Sequence, residues 1–368
     1  MDARNKEPKI VIIGCGIGGA ATAVALQNEG INAEIYEQAS AITEVGAGIG
    51  MRPPTINFFK KWGIYEDIER KSSLSNFMEI LLGNGDVLVK ENWPLLTNGD
   101  EEGGWARLIH RADLIDILLS HIPPELIHLK HRCDSIITHE NYAEVHFENG
   151  KSIEADLVIA ADGIRSLVRS NFFSKVDPVY SGTHAYRAIL DEKDSFGLFE
   201  DNTFKVFIDG DVNVYVMPLH HRNQISFDVT VPSEKVAWRP DIDKTAMLSY
   251  LKNFDSKIQA IAANIENYTC RAVYDIEPVE SWNSNCVTLL GDSAHAMLHH
   301  QGQGANMAIQ DGGVLAESLS DSKTIPEALK KYYARRKPVT DKYQELSRQQ
   351  HNQEATTAFP EKEAFEQK

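Results

Sequence analysis

PKIVIIGCGIGGAATAVALQNEGINAEIYE, residues 8–37, decides the reading of this chain. Lys9 to Ile13 is a short apolar run rich in β-branched residues, the mark of a buried strand. It runs directly into Gly14-x-Gly16-x-x-Gly19 and an alanine-rich helical pattern. Each glycine answers a separate need. Gly14 allows a tight turn, Gly16 lets backbone approach a pyrophosphate, and Gly19 lets helix and strand pack closely while the helix N-terminus faces the anion. A second strand, Asn32 to Tyr36, ends in Glu37, about 20 residues beyond the glycines, where a carboxylate accepts hydrogen bonds from the hydroxyls of an unphosphorylated ribose. Strand, glycines, helix and acid together indicate a βαβ unit for an ADP-containing dinucleotide, and leave open whether FAD or NAD.

Composition narrows the class. A chain of 368 residues suggests two domains, or one with a large insertion. Apolar residues at 42% and charged residues at 24% are ordinary for a soluble globular protein, and no apolar stretch approaches the roughly 18 residues that span a bilayer. The first apolar run is too short for a secretory signal, so a cytoplasmic protein is expected. A net charge of −16 argues against nucleic acid or an anionic membrane as partner. An anionic substrate would need a local basic pocket. Cys15, Cys133, Cys270 and Cys286 are widely separated, without a CxxC pair, so neither a metal site nor a disulfide framework is expected. For Cys15, inside the glycine turn, filling a tight space is the commoner role and redox chemistry the rarer one.

Further along, residues 41–54 (AITEVGAGIGMRPP) read as a flexible glycine-rich loop with Arg52 beside it, followed by helical spacing from Thr55 to Ile68. Phe77 to Lys90 reads as a hairpin around Asn84-Gly85, and residues 91–104 as a loop. His110-Arg111-Ala112-Asp113-Leu114 leads into an amphipathic helix, with Asp113 as a cap and Arg111 as the better ligand candidate. Tyr142 to Phe147 and Ile153 to Ile159 read as a hairpin whose return strand ends in Asp162-Gly163, followed by Arg165 and Arg169 one helical turn apart. Four alternating runs between 183 and 231 indicate an antiparallel sheet in which Tyr186, Arg187, Tyr215 and Met217 suit a flat ring bearing a carboxylate or phenol. Cross-strand packing is the competing role for each. Residues 244–263 read as helix. A further buried strand, Cys286 to Leu290, runs into Gly291-Asp292 and His295, and Gly302-Gln303-Gly304-Ala305-Asn306 opens another helix. A long helix over Ile325 to Asn352 precedes a polar tail. The histidines at 295 and 300 are acid or base candidates, more often structural in such turns.

Four pieces in this order, GxGxxG at Gly14–Gly19, HRADL at His110–Leu114, Asp162-Gly163 with its arginines, and Gly291-Asp292 with Gly302-Gln303-Gly304, resemble the single-component FAD-dependent aromatic hydroxylases, the class A flavoprotein monooxygenases of the para-hydroxybenzoate hydroxylase fold. The GAGIG loop and Trp62-Gly63-Ile64 are most similar to salicylate, 6-hydroxynicotinate and urate hydroxylase-like members. The resemblance implies an α/β fold, with a Rossmann-like FAD-binding domain of the glutathione reductase type, an inserted, mostly antiparallel β-sheet substrate domain and a long C-terminal helix. Its implied parts are residues 1–75, 105–178 and 276–352 for FAD binding, 76–104 as a β excursion of the substrate domain, 179–275 as the substrate domain and 353–368 as a polar tail.

Carried over residue by residue, the resemblance implies that Gly14, Gly16, Ile17, Gly18, Gly19 and Glu37 hold the ADP half of FAD, with Gly50, Arg52 and Arg111 as further cofactor contacts. Asp162 and Gly163 would lie near the pyrophosphate, Gly291 and Asp292 at the ribitol, and Gly302, Gly304, Ala305 and Asn306 at the isoalloxazine. The implied reaction is NAD(P)H-dependent hydroxylation of a small aromatic or heteroaromatic substrate through a flavin C4a-hydroperoxide, with NADH or NADPH and O2 as co-substrates and a monomer or homodimer as the assembly. Tyr215, Arg187 and His299 are the candidates for orienting the substrate or moving a proton. His299 departs from the family, where proline commonly stands. Two alternatives stay open: a same-fold flavoprotein acting on a larger polycyclic substrate, and a redox sensor that keeps FAD and turns over poorly.

Overall fold

A computed structural model describes residues 8–42, 47–75, 77–92, 106–198 and 202–349. The chain divides into two compact units, one of Met1–Thr43, Ile115–Val179 and Tyr274–Arg348, the other of Glu44–Leu114, Tyr180–Val273 and Gln349–Lys368.

The first unit is built on β1 (Ile10–Ile13), α1 (Ile17–Asn28), β2 (Ala33–Tyr36), β3 (Leu157–Ala160), α2 (Leu167–Phe172), β4 (Val287–Leu289), α3 (Gly304–Ser320) and α4 (Ile325–Arg348). The strands form a parallel sheet in the order β4-β3-β1-β2, with Ile127–His128 at the edge. β1, β3 and β4 are buried at every position, as a parallel sheet covered on both faces requires. Small residues let the helices close on each other. A Cβ on Gly312 of α3 would meet Thr22 Oγ1 of α1 at 2.7 Å, and one on Gly18 would meet the Ala308 methyl at 3.2 Å.

The return strand expected over 153–159 breaks at Asp156 into two. Ser152–Ala155 pairs antiparallel with Ala143–Phe147 in a small three-stranded sheet, whereas β3 joins the parallel sheet. Asp156 makes the switch by gripping the start of β1: its N–H donates to the Lys9 carbonyl at 2.8 Å and its Oδ2 accepts the Lys9 N–H at 2.7 Å.

The second unit holds a seven-stranded sheet in the order Thr269–Asp275, Val179–Asp191, Gln224–Pro232, Val212–Leu219, Thr203–Asp209, Phe77–Leu82, Val87–Asn92. The helices Lys244–Tyr250 and Ser256–Asn264 cover one face, against Phe207, Val214, Phe227 and Tyr186. On the other face Ile80, Val206, Leu219, Tyr215 and Met217 pack with Ala106 and Leu108 of a three-stranded sheet.

That small sheet corrects two sequence expectations. The glycine-rich stretch is a strand from residue 48 on, Gly48–Met51, paired antiparallel with Ala106–His110; residues 43–46 lie outside the described residues. The glycine is needed for proximity, since a Cβ on Gly48 would stand 2.4 Å from Met217 Sδ. The helical pattern after it is two helices, Pro53–Lys61 and Tyr65–Arg70, interrupted at Gly63, whose φ of +70° favours glycine. Likewise 244–263 resolves into two helices. The Asn-Gly hairpin is present between Phe77–Leu82 and Val87–Asn92, and the loop expected beyond Asn92 lies outside the described residues.

Candidate functional site

In the first unit, the glycine turn from Gly14, Glu37, Asp162-Gly163 and Gly291-Asp292 follow the carboxyl ends of four parallel strands, at one edge of one sheet. Backbone hydrogen bonds stitch them together. Gly14 N–H donates to the Tyr36 carbonyl (2.9 Å), Ala161 N–H to Ile13 (2.9 Å), and Leu290 N–H to Ala160 (3.0 Å). The turn after β1 therefore lies between those after β2 and β3, the position where open α/β sheets bind ligands.

The glycines divide by what surrounds them. Gly14 (φ +99°) and Gly19 serve packing: a Cβ would meet the Ala161 carbonyl oxygen at 2.4 Å in one case and the Gly14 carbonyl oxygen at 2.1 Å in the other. Gly16, Gly163 and Gly302 have nothing within 4 Å of such an atom. α1 starts at Gly16 with no side-chain cap and no acid in its first turn, which leaves its first amides and its positive dipole end for an anion. Ile17 is buried, and Gly18 packs on Leu290 and Ala308, so both act as scaffold in this turn.

Glu37 uses both oxygens on backbone, Oε2 accepting Cys15 N–H (2.8 Å) and Oε1 accepting Ala39 N–H (2.8 Å). Each oxygen keeps a lone pair for a sugar hydroxyl. Burial and the Glu37 charge push the Cys15 thiol up to about 12, so it is protonated filler in the turn. Asp162 Oδ2 accepts the Val168 N–H at 3.3 Å, while its Oδ1 is buried with no partner. Burial raises this carboxyl above its ordinary value, against hydrogen bonds from Ser166 and Val168 that lower it. Arg169, expected on a basic face, is instead buried and donates to the Ser293 and Ile164 carbonyls at 3.0 and 2.5 Å, tying α2 to the turn after β4.

That turn has a deep support that sequence reading missed. Gly291 (φ +64°) donates its N–H to Asp311 Oδ2 at 3.1 Å; the same oxygen accepts from His295 Nε2 at 2.6 Å, and Oδ1 accepts from Arg336 Nε at 2.6 Å. Burial would raise Asp311, but His295 and Arg336 hold it below the usual carboxylate range. His295 is thus structural. Asp292, beside these buried groups, is exposed, and a Cβ on Gly304 would stand 3.8 Å from its Oδ1. Asn306 is buried, with Nδ2 donating to the Gly302 carbonyl at 3.2 Å, so it braces the loop. Ala305 is half-buried at the helix start. His299 begins a short 3-10 turn, half-buried, its ring 4.7 Å from that of His300. An open glycine, an uncapped helix start, a buried orphan carboxylate oxygen and an outward Asp292 together fit a dinucleotide such as FAD.

In the second unit, Arg187, Asp228 and Tyr215 occupy one cross-strand row, Arg187 opposite Asp228 and Asp228 opposite Tyr215. Arg187 Nε donates to Asp228 Oδ2. Burial, then the Asp228 charge, hold the Tyr215 hydroxyl well above its ordinary value. Met217 shares this face, but Tyr186 points to the opposite one, into the helix-covered core, and leaves the candidate set. Asp113, expected as a cap, instead accepts from Arg222 Nε (2.7 Å) and Nη2 (3.0 Å) and from His221 Nε2 (3.2 Å). Arg111 opens the helix Arg111–Ser120 and donates its N–H to the Ala47 carbonyl. Gly50 is a buried strand residue opposite Leu108, and Arg52 is a buried residue at the N-cap of Pro53–Lys61.

Comparison with known proteins agrees with this architecture. The chain is 28% identical over 325 residues to the 6-hydroxynicotinate 3-monooxygenase of Pseudomonas fluorescens, covering 86% of this chain and 84% of the relative. It is 26% identical to the salicylate hydroxylase of Pseudomonas putida, covering 92% and 83%. The crystal structure of Klebsiella pneumoniae HpxO complexed with FAD and uric acid superposes with a TM-score of 0.85 at 22% identity, over 99% of this chain and 93% of that one. Among the described residues no helix is long and apolar enough to cross a membrane. The model of the FAD binding domain family matches residues 7–347, almost the whole described chain, and the chain belongs to that family.

Proposed function

We propose that the protein is an FAD-dependent monooxygenase that uses NADH or NADPH and O2 to hydroxylate a small aromatic or heteroaromatic ring, as a monomer or homodimer in the cytoplasm. The observation that carries this reading is the meeting of the glycine turn, Glu37, Asp162-Gly163 and Gly291-Asp292 at one edge of the parallel sheet. The first unit carries the dinucleotide turns and the second the Arg187, Asp228 and Tyr215 row for the ring substrate. Gly16 and the first amides of α1 hold the pyrophosphate, Glu37 the adenosine ribose and Asp292 the ribitol; the start of α3 from Gly302 to Asn306, with Gly304 and Ala305, meets the flavin ring. Asp162 and Gly163 line the pyrophosphate, with Gly50, Arg52 and Arg111 as outlying cofactor contacts. When bound, FAD supplies electron acceptance from the nicotinamide and activation of oxygen.

The chain's own residues bind, orient and handle protons. Tyr215 stays protonated at neutral pH, because burial and Asp228 disfavour its phenolate; it donates a hydrogen bond and is no base. Arg187, fixed by Asp228, presents its remaining N–H groups to an anionic ring substituent. His299 is the group in this set suited to moving a proton near neutral pH.

An absorption spectrum of the purified protein, followed by NAD(P)H oxidation under air with salicylate, hydroxynicotinate, hydroxybenzoate and urate, tests the proposal. Flavin bands with substrate-stimulated oxidation and a hydroxylated product are expected. A colourless protein that takes up no FAD overturns it.

A further inference from the structure

The second unit contains a cavity of about 330 Å³ lined by His110, Arg187, Arg222, Gln224, Asn267 and Thr269, near the lower end of the roughly 300–1,000 Å³ usual for ligand sites. Two arginines line it, Arg187 and Arg222, each paired with its own aspartate. Asp228 takes Arg187 Nε, and Asp113 takes Arg222 Nε and Nη2. Those bonds fix the planes of both groups. They leave both Nη groups of Arg187, and Nη1 of Arg222, with no hydrogen-bond partner among the described residues. His110 also lines the cavity, its Nδ1 accepting the Ala112 N–H at 3.2 Å. The buried Gln224 Oε1 lacks any donor. Asn267 and Thr269 add short polar side chains to the lining, with Thr269 Oγ1 donating to the Arg187 carbonyl at 3.3 Å.

We infer that this cavity is an oxyanion subsite, in which Arg187 and Arg222 grip a phosphate or carboxylate group from two sides. Pre-fixed guanidinium planes with spare N–H groups match the planar or tetrahedral oxygens of such groups, and the hydrogen bonds are charge-assisted. Paired aspartates keep the site close to neutral without a ligand, which suits reversible capture on a chain of net charge −16. Its natural source, the diphosphate of the nicotinamide co-substrate or the carboxylate of a ring acid, rests on the monooxygenase reading. The subsite itself does not.

Calorimetric titration of the FAD-loaded full chain with inorganic pyrophosphate, and separately with benzoate, tests it. Saturable binding of at least one is expected. Arg222→Gln and Asn267→Ala should each weaken it about tenfold, the loss of one charged or polar contact, with Thr269→Val as a mild variant should Arg222→Gln fold poorly. Pyrophosphate that competes with NAD(P)H assigns the phosphate source; benzoate that competes with the ring substrate assigns the carboxylate source. No saturable heat from either anion up to about 20 mM, or equal affinity in wild type and all three variants, overturns the inference. Binding is read without turnover, so a protein that captures these anions yet oxidises no NAD(P)H refutes the monooxygenase reading and leaves the subsite standing.

Discussion

Arg187 stands directly opposite Asp228 on neighbouring antiparallel strands and donates Nε to its Oδ2, while Tyr215 flanks the same aspartate from the next strand. Asp228→Asn keeps the shape and removes the charge that holds the guanidinium plane. The expected result is a KM for the ring substrate raised by about tenfold, a stability loss of about 1–3 kcal/mol, and unchanged FAD affinity. Steady-state kinetics and a denaturant melt check the split.

Gly14 and Gly16 stand two residues apart in one motif and should fail in different ways. Gly14→Ala places a Cβ 2.4 Å from the Ala161 oxygen at a φ of +99°, so the apoprotein should lose about 3 kcal/mol or more. Gly16→Ala has open space and an ordinary φ of −75°. Its apoprotein should melt within about 0.5 kcal/mol of wild type while FAD affinity falls. Thermal unfolding of apoprotein beside flavin titration separates the two.

This contrast marks what the sequence makes legible. Spacing announces the βαβ unit, the strand-end acids and the antiparallel sheet, because those depend on local periodicity and on glycine's special torsions. Spacing is silent on Asp228, Asp311 and Arg336, since each acts across elements distant in the chain. A signal for Asp311 did exist: a charged residue set among Ala308, Ile309 and Gly312 on an apolar helix needs a buried partner. Tyr186 misleads for a simpler reason, that neighbours in a strand face opposite sides, so it could not share a face with Arg187. The break at Asp156 is hidden because both halves of that run are equally strand-like.

Asp162 should cost the apoprotein stability at neutral pH. Its carboxyl is raised in the folded state, so the protonated form is favoured there; the stabilisation is full below the ordinary value of 3.8 and is lost as pH rises through the raised one. Asp162→Asn removes the buried orphan charge. Apoprotein carrying it should gain about 1–3 kcal/mol at pH 7 and lose that advantage toward pH 4, as followed by melts across this range.

The thiols should be silent in the native protein. Burial pushes Cys15 and Cys133 up to about 12 and Cys270 to about 11, and raises Cys286. Ellman's reagent at pH 8 should react slowly with native protein and count all four thiols after denaturation. Fast reaction of Cys15 in the folded state would restore a redox role for the turn.

Asp311 governs the turn that presents Asp292, because one carboxylate holds Gly291, His295 and Arg336 together. Its pKa is depressed in the fold, so its stabilisation is full above the ordinary value of 3.8 and is lost as pH falls below it. Arg336→Met strands the charge in a buried site and should cost about 3–5 kcal/mol. Asp311→Asn retains the shape, and its apoprotein should bind FAD at least about tenfold more weakly. In the double variant with Asp292→Asn, the two effects on FAD affinity should fall short of additive, because a turn already displaced has no carboxylate left to misplace. Strict additivity would mean that Asp311 stabilises the fold without positioning Asp292.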